Sequence, residues 1–164
     1  MSTLYVDTIT EKTAGNGVQI PGHVVQVVQY FDKGSLTAKN PLGQLSTVGL
    51  TDIMSKTITT KNANSKILVQ LSTNAFNGTN VLRGQIVVLR DATEIDADQY
   101  GFYGPSSLMQ PYSSAVLDTP NVVAGTTLTY KLRVSNTTGG TLVVGYGDSG
   151  GGSGSHITLM EIAQ

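Results

Sequence analysis

The chain contains no cysteine and no tryptophan, and only 13% of its residues are charged. Without cysteine, neither disulfides nor thiolate metal sites can supplement a thin hydrophobic core, so stability must come from packing or from subunit association. Ten basic and eleven acidic residues give a formal net charge of -1. Such a balance provides no field that would attract phosphate backbones or anionic lipid, so we expect neither nucleic acid nor membrane as partners.

The sequence also lacks long apolar runs and helical periodicity. No segment approaches the roughly 18 apolar residues of a membrane-spanning helix, and we find no signal peptide at the N-terminus. A length of 164 residues suits one compact domain. We therefore expect a protein made in a bacterial cytosol, with one folded domain over residues 23–164.

Short segments with apolar residues at every second position are abundant, and this period is typical of strands with one buried face. Turn-forming residues separate them at intervals of about ten residues, as expected of an antiparallel sandwich or barrel. The predicted fold class is all-β, an antiparallel jelly-roll sandwich. The segment Leu45–Met54 could form a helix, but Gly49 lowers its helix propensity, so we interpret it as a loop. The predicted strands are Val24–Phe31, Ile67–Thr73, Leu82–Leu89, Leu128–Val134, Thr141–Tyr146 and Ile157–Ile162.

Residues 1–22 differ from the rest, because they form a short β-like stretch followed by a glycine-containing turn and Pro21-Gly22. Such a segment cannot bury its apolar side chains alone, so we expect it to extend and anchor the protein on a neighbouring subunit or a larger assembly. The predicted anchor residues are Leu4, Val6, Ile9, Val18 and Ile20.

Gly147-Asp148-Ser149-Gly150-Gly151 matches the sequence around the nucleophilic serine of chymotrypsin-like proteases. A nucleophile there needs a histidine base and a carboxylate, but His23 lacks the usual surroundings and the serine is followed by glycines and a β-like run. We therefore interpret the glycines as a loop and expect no catalysis. Labelling of Ser149 by a fluorophosphonate would contradict this.

Metal binding has two candidate groups. His23 and His156 are far apart in the chain, so a zinc centre would need carboxylates from separate loops. Glu94, Asp96 and Asp98 alternate and could share one face of a strand, where they would offer oxygens to calcium. The alternative, which we favour, is a charged edge strand that resists unwanted pairing. We expect no metal and no cofactor.

An aromatic cluster lies between residues 100 and 112, where rings could recognise a carbohydrate or contact another subunit. Because the chain has no tryptophan, we favour subunit contact over glycan binding. The candidate recognition residues are Tyr100, Phe102, Tyr103 and Tyr112.

Several segments, taken in order, resemble virion structural proteins of marine and cyanobacterial tailed phages, often described as tail fibres. The resemblance lies in Ser2–Gln29, Asn64–Ser72, Val87–Ile95, Ala115–Val134 and Ser155–Gln164. It implies a virion protein that decorates or cements the capsid or tail. The alternative is a receptor-binding head of a short tail fibre that recognises a host surface glycan.

At the level of fold, proteins with this pattern resemble the trimeric jelly rolls of tumour necrosis factor and of complement-type globular heads. The resemblance implies a homotrimer in which the C-terminal strand and its neighbours approach the threefold axis. The implied interface residues are Tyr130, Tyr146, Leu159 and Met160.

Overall fold

A computed structural model describes residues 8, 10, 20–32, 43–45, 49–77, 82–105, 107–136, 142–145 and 154–164. Within these ranges the chain forms ten β-strands and no helix. The strands are β1 Val24–Asp32, β2 Gly43–Leu45, β3 Gly49–Thr59, β4 Lys66–Asn77, β5 Leu82–Arg90, β6 Thr93–Gly104, β7 Met109–Asp118, β8 Thr127–Asn136, β9 Leu142–Val144 and β10 Ser155–Ile162.

Two antiparallel sheets contain these strands. Sheet A has the order β1-β10-β4-β9-β2, with β7 on the other edge of β4, and sheet B has the order β3-β8-β5-β6. The pairs β1 with β10, β3 with β8, β4 with β7 and β5 with β6 nest inside one another along the chain. Nested antiparallel pairs divided between two packed sheets define a jelly roll, so the predicted fold class is confirmed.

The inward faces of the two sheets form one hydrophobic core. Alternate residues of β8 supply one layer, as the sequence predicts, and every second residue of β4 and β10 supplies the facing layer. Fully burying each aliphatic side chain contributes about 1.5–3 kcal/mol, which makes this core the main source of stability. Its most buried members are Ile58, Ile67, Val69, Leu71, Ile86, Phe102, Tyr130, Leu132, Leu142, Ile157 and Leu159.

All six predicted strand segments overlap observed strands. In Thr141–Tyr146 the overlap is β9, because Gly145 follows that strand and Thr141 and Tyr146 lie outside the described residues. The prediction of a loop over Leu45–Met54 is wrong, because β2 ends at Leu45 and β3 begins at Gly49. The alternation in β3 is interrupted by a register shift between Asp52 and Met54, which hides its period of two. The division of the chain at residue 22 stays a prediction.

Strands β9 and β10 both pair with β4, at neighbouring positions along it. The amide of Gly145, just after β9, donates a 2.8 Å hydrogen bond to the carbonyl of Asn74 in β4. At the start of β10, the hydroxyl of Ser155 lies 2.9 Å from that of Thr73, the preceding residue of β4. Residues 146–153, which include most of the predicted glycine-rich loop, lie outside the described part of the chain.

A buried carboxylate fixes the C-terminal strand. Glu161 has no exposed surface, and its two oxygens accept hydrogen bonds from the backbone amides of Lys61 (2.9 and 3.0 Å) and Asn62 (2.9 Å). The side-chain amide of Gln26 in β1 adds a third donor at 2.5 Å. Burial on its own raises the pKa of Glu161, but these donors outweigh it and hold the pKa below its ordinary value. The ionised side chain thus joins β10, β1 and the turn after β3.

We predict that Glu161→Gln lowers the free energy of unfolding at pH 7 by about 2–3 kcal/mol, because the amide places an N–H against donors that need an acceptor. Because the pKa of Glu161 is lower in the folded state than in the unfolded state, its ionised form stabilises the fold. This contribution is complete above the ordinary glutamate pKa of about 4.3 and is lost as the pH falls through the folded-state pKa. Denaturant unfolding of both proteins at several pH values should therefore give curves that converge in acid.

Glu94→Gln is the matched control, because Glu94 is exposed. It should change stability by less than about 0.5 kcal/mol. A Glu161→Gln deficit that stays constant from neutral to strongly acidic pH would contradict the assignment.

Candidate functional site

The outward faces of the two sheets differ in charge. On sheet B, Arg133 and Lys131 of β8 both contact Asp52 of β3, at 2.6 and 3.2 Å. The hydrogen bond from Arg133 lowers the pKa of Asp52 from its ordinary value. On sheet A, Lys66 is the one charged side chain among the described residues that point outward. Sheet A therefore presents a nearly uncharged surface.

Four apolar residues form a row across that outward face. Val27 of β1 pairs with Met160 of β10, Met160 pairs with Leu68 of β4, and Leu68 pairs with Leu117 of β7. Directly opposed residues of antiparallel strands share a face and lie about 5 Å apart, so the row is continuous. Val27 is 55% exposed and Leu117 is 53% exposed. We call these four residues the apolar row.

Further exposed apolar residues lie on the same face, some beside the apolar row and some separated from it by polar residues. Val24 pairs with Ile162 at the adjacent end of β1 and β10, and Phe31 of β1 is half-exposed toward the other end. At the far end of β4, Phe76 pairs with Met109, which is also half-exposed. Exposed apolar surface with little charge is typical of sites that contact another macromolecule.

The four residues implied at the trimer axis do not lie together on one surface. Tyr130 and Leu159 have no exposed surface and face the core of a single chain, so they cannot contact a second subunit, and the prediction is wrong for both. Their burial follows from strand alternation, which turns Tyr130 inward with Leu128 and Leu132. Met160, one residue beyond Leu159, points outward in the apolar row. Tyr146 lies outside the described residues.

Tyr130 instead belongs to a buried polar triad that ties the sheets together. Its hydroxyl donates a 2.7 Å hydrogen bond to Asp118 at the end of β7. The guanidinium of Arg90, at the end of β5, contacts both oxygens of Asp118 at 2.8 and 2.9 Å. Burial, then the bond to Asp118, strongly raises the pKa of Tyr130, so the phenol stays protonated. The triad links β7 of sheet A to β5 and β8 of sheet B.

The aromatic segment predicted as a recognition loop consists largely of β6 and β7. Phe102 is fully buried and meets Tyr112 edge to face, with ring centroids 5.9 Å apart, so the surface role predicted for Phe102 is wrong. Burial raises the pKa of the half-buried Tyr112. Tyr103 is 57% exposed, and the guanidinium of Arg83 lies 5.5 Å from its ring centroid. The structure does not describe the side chain of Tyr100.

The acidic residues Glu94, Asp96 and Asp98 lie on β6, an edge strand of sheet B. The β5–β6 register shifts between Val88 and Leu89, and Ile95 packs against the core between two of the carboxylates. In the part of the chain that the structure describes, no group of three potential metal ligands comes together.

The two histidines are well separated. His23 accepts a 3.1 Å hydrogen bond from the amide of Ile20 on Nδ1, in the turn before β1. His156 lies at the opposite end of the β1–β10 pair. An extended strand rises about 3.3 Å per residue, which puts the two histidines about 20 Å apart. They cannot share a metal ion. Ser149 lies outside the described residues.

Of the predicted anchor residues, the structure describes Ile20, which is exposed. Leu4, Val6, Ile9 and Val18 lie outside the described residues. No helix long and apolar enough to cross a bilayer occurs in the described ranges.

Comparison with known proteins gives structural likenesses alone. No family model matches the chain, and no curated protein is significantly similar in sequence. PorU from Porphyromonas gingivalis, in its dimeric latent form, is similar to 94% of this chain with a TM-score of 0.50 and 10% identity. This chain spans 14% of PorU. The likeness shows a shared fold and nothing about activity.

Weaker likenesses involve a viral protein and a bacterial mitogen. VP2 of infectious bursal disease virus is similar to 85% of this chain, with a TM-score of 0.45 and 11% identity, and this chain covers 34% of VP2. The Yersinia pseudotuberculosis-derived mitogen is similar to 72% of this chain, with a TM-score of 0.21 and 12% identity, and 88% of the mitogen is covered. No functional conclusion rests on either.

We predict that Tyr130→Phe lowers the free energy of unfolding by about 1–3 kcal/mol, because Asp118 loses a buried hydrogen-bond donor. Tyr103→Phe, the same change at an exposed position, should cost less than about 0.5 kcal/mol. Chemical denaturation of both variants checks this. Equal stabilities for the two variants would show that the triad does not support the fold.

Proposed function

We propose that the chain is a structural protein of a tailed-phage virion, which forms homotrimers that decorate or cement the surface of the capsid or tail. The observation that carries the proposal is the nearly uncharged outward face of sheet A, with its half-exposed apolar row. The ordered segments that resemble phage virion proteins give the assembly its context. The proposal includes no catalytic step.

The physical basis of assembly is burial of apolar surface between copies. Covering the exposed parts of the side chains in the apolar row contributes on the order of 1 kcal/mol for each. Summed over the copies in the assembly, these contributions must exceed the cost of immobilising the subunits. The adjoining pair Val24 and Ile162 extends the apolar area available for this.

A second copy of this chain is the partner that fits best. An uncharged face offers nothing to complement a charged partner, whereas interfaces between permanently associated copies are depleted in charge and rich in aliphatic side chains. Closed rings use such faces completely, so that no copy leaves one exposed. The proposed number of subunits, three, comes from the resemblance to trimeric jelly rolls.

A second candidate function is a receptor-binding head that recognises a host surface glycan. The observation in its favour is a recess on sheet A, lined by uncharged polar groups and described in the next subsection. Of the aromatic residues predicted for this role, Tyr103 has the exposure that ligand contact requires. Both functions are compatible with one trimer.

We predict that the protein in solution has three times the 17.2 kDa mass of one chain, and that Val27→Lys reduces this mass to that of a monomer. A buried ammonium in the apolar row has no described carboxylate on that face to pair with. Light scattering after size exclusion measures the mass. Val123→Lys is the matched control, because Val123 is 72% exposed in the segment between β7 and β8.

Retention of the trimer by Val27→Lys, with circular dichroism unchanged, would exclude this face as the interface. A monomeric wild-type chain would exclude trimeric assembly altogether.

The virion role is tested by locating the chain in an electron-microscopy map of the phage that encodes it. The proposal predicts density for the jelly roll on the outer surface of the capsid or tail. Absence of the polypeptide from purified virions would overturn it. Density at a fibre tip, together with adsorption of the purified chain to host cells, would favour the receptor-binding alternative.

A further inference from the structure

Sheet A carries a shallow recess of about 370 Å³ on its outward face. It lies where β10, β4 and β7 run side by side, because His156 pairs with Ser72 and Ser72 pairs with Ser113. Gln70 and Ala115 form the next pair along the same strands. The lining residues are Gln70, Leu71, Ser72, Ser113, Ser114, Ala115 and His156.

The polar groups of this recess have hydrogen-bonding capacity to spare. On the same face, the side chains of Gln29 and Thr158 satisfy each other through a 2.9 Å hydrogen bond. In the described part of the chain, no such bond involves the side chains of Gln70, Ser72, Ser113 or His156. One amide, two hydroxyls and one imidazole therefore converge on a concave surface with their donors and acceptors available.

We propose that this recess binds a hexose unit of a neutral glycan. A hexose presents several hydroxyl groups that each donate and accept, which matches the mixture of donors and acceptors from the amide, hydroxyl and imidazole groups. No charged side chain lines the recess, so an anionic ligand would find no described counter-charge there. The volume lies at the lower end of the range for small-ligand sites and suits one sugar ring.

Phe31 adds an aromatic surface beside the polar groups. It pairs with His156 across β1 and β10 and is half-exposed on the outward face. Sugar rings have apolar faces and polar edges, and an exposed aromatic ring offers the flat apolar area that such a face covers. The recess and the ring together present both kinds of surface that a sugar uses.

This inference rests on the proposed role of the chain at the virion surface, and it specifies the ligand class of the second candidate function. The recess and the apolar row are separate areas of one face. Along β4, Gln70 and Ser72 lie two and four residues from Leu68, which corresponds to about 7 and 13 Å in an extended strand. A copy packed on the apolar row can therefore leave the recess open at its margin.

The test uses ligand-observed saturation-transfer NMR of the full chain with methyl α-D-glucopyranoside, methyl α-D-mannopyranoside, methyl β-D-galactopyranoside and N-acetyl-D-glucosamine. We expect saturable binding of at least one sugar with a Kd on the order of 1 mM, as suits a shallow site. Gln70→Met and His156→Leu should each weaken it about tenfold or more, because each removes hydrogen bonds while keeping similar bulk. Thr57→Val on the outward face of sheet B is the matched control and should bind as the wild type does.

Failure of all four sugars to bind up to about 100 mM, where Kd values near 10 mM would still be visible, overturns the inference. Binding that Gln70→Met and His156→Leu leave unchanged also overturns it. The oligomeric mass of each variant is measured in parallel. A trimer that binds no sugar contradicts the glycan site alone, whereas a monomer that binds sugar contradicts the proposed assembly alone.

Discussion

The packing of the inward faces of the two sheets against each other is the constraint on which the other features depend. Successive side chains of a strand point to opposite faces of the sheet. Because Ile67, Val69 and Leu71 are buried in the core, Leu68 and Gln70 must point outward. The same constraint on β10 buries Leu159 and exposes Met160. The apolar row and the recess are therefore consequences of the core, since neither can be moved inward without disrupting it.

Two buried polar groups fix the sandwich in this register. The Arg90–Asp118–Tyr130 triad holds the end of β7 against β5 and β8, and so joins sheet A to sheet B. Glu161 holds β10 to the turn after β3 through backbone donors. Each group has its hydrogen-bonding partners, which is what makes a charge tolerable at such positions. Loosening either one frees a strand whose outward residues form the proposed interface.

The sequence predicts the class of fold well, because alternation and turn residues are local properties that survive in most strands. β8 is the clearest case, since Leu128, Tyr130, Leu132 and Val134 share one face as predicted. Alternation cannot tell whether such a face meets the facing sheet or another subunit. The resemblance to trimeric jelly rolls places Tyr130 at an interface, and its full burial within one chain makes that prediction wrong. The sequence does not predict β3, because a register shift between Asp52 and Met54 interrupts the alternation of apolar and polar residues.

The candidate site was largely beyond sequence reasoning. The outward residues of β7, such as Pro111, Ser113 and Leu117, are no more polar than inward Tyr112 and Val116, so composition does not separate the two faces. The recess forms only when β10, β4 and β7 lie side by side, and these segments are distant in the chain. The one available signal was Met160, placed near the axis through the resemblance to trimeric jelly rolls.

The central claim is that other copies of the chain cover the apolar row on the outward face of sheet A. Hydroxyl-radical footprinting of the native protein, read by mass spectrometry, measures this side chain by side chain. The account predicts that Val27, Met160 and Leu117 react slowly in the assembled protein, while the exposed Tyr103 and Val123 react fast. Reaction of Leu117 and Val27 at the rates expected of half-exposed side chains would contradict it.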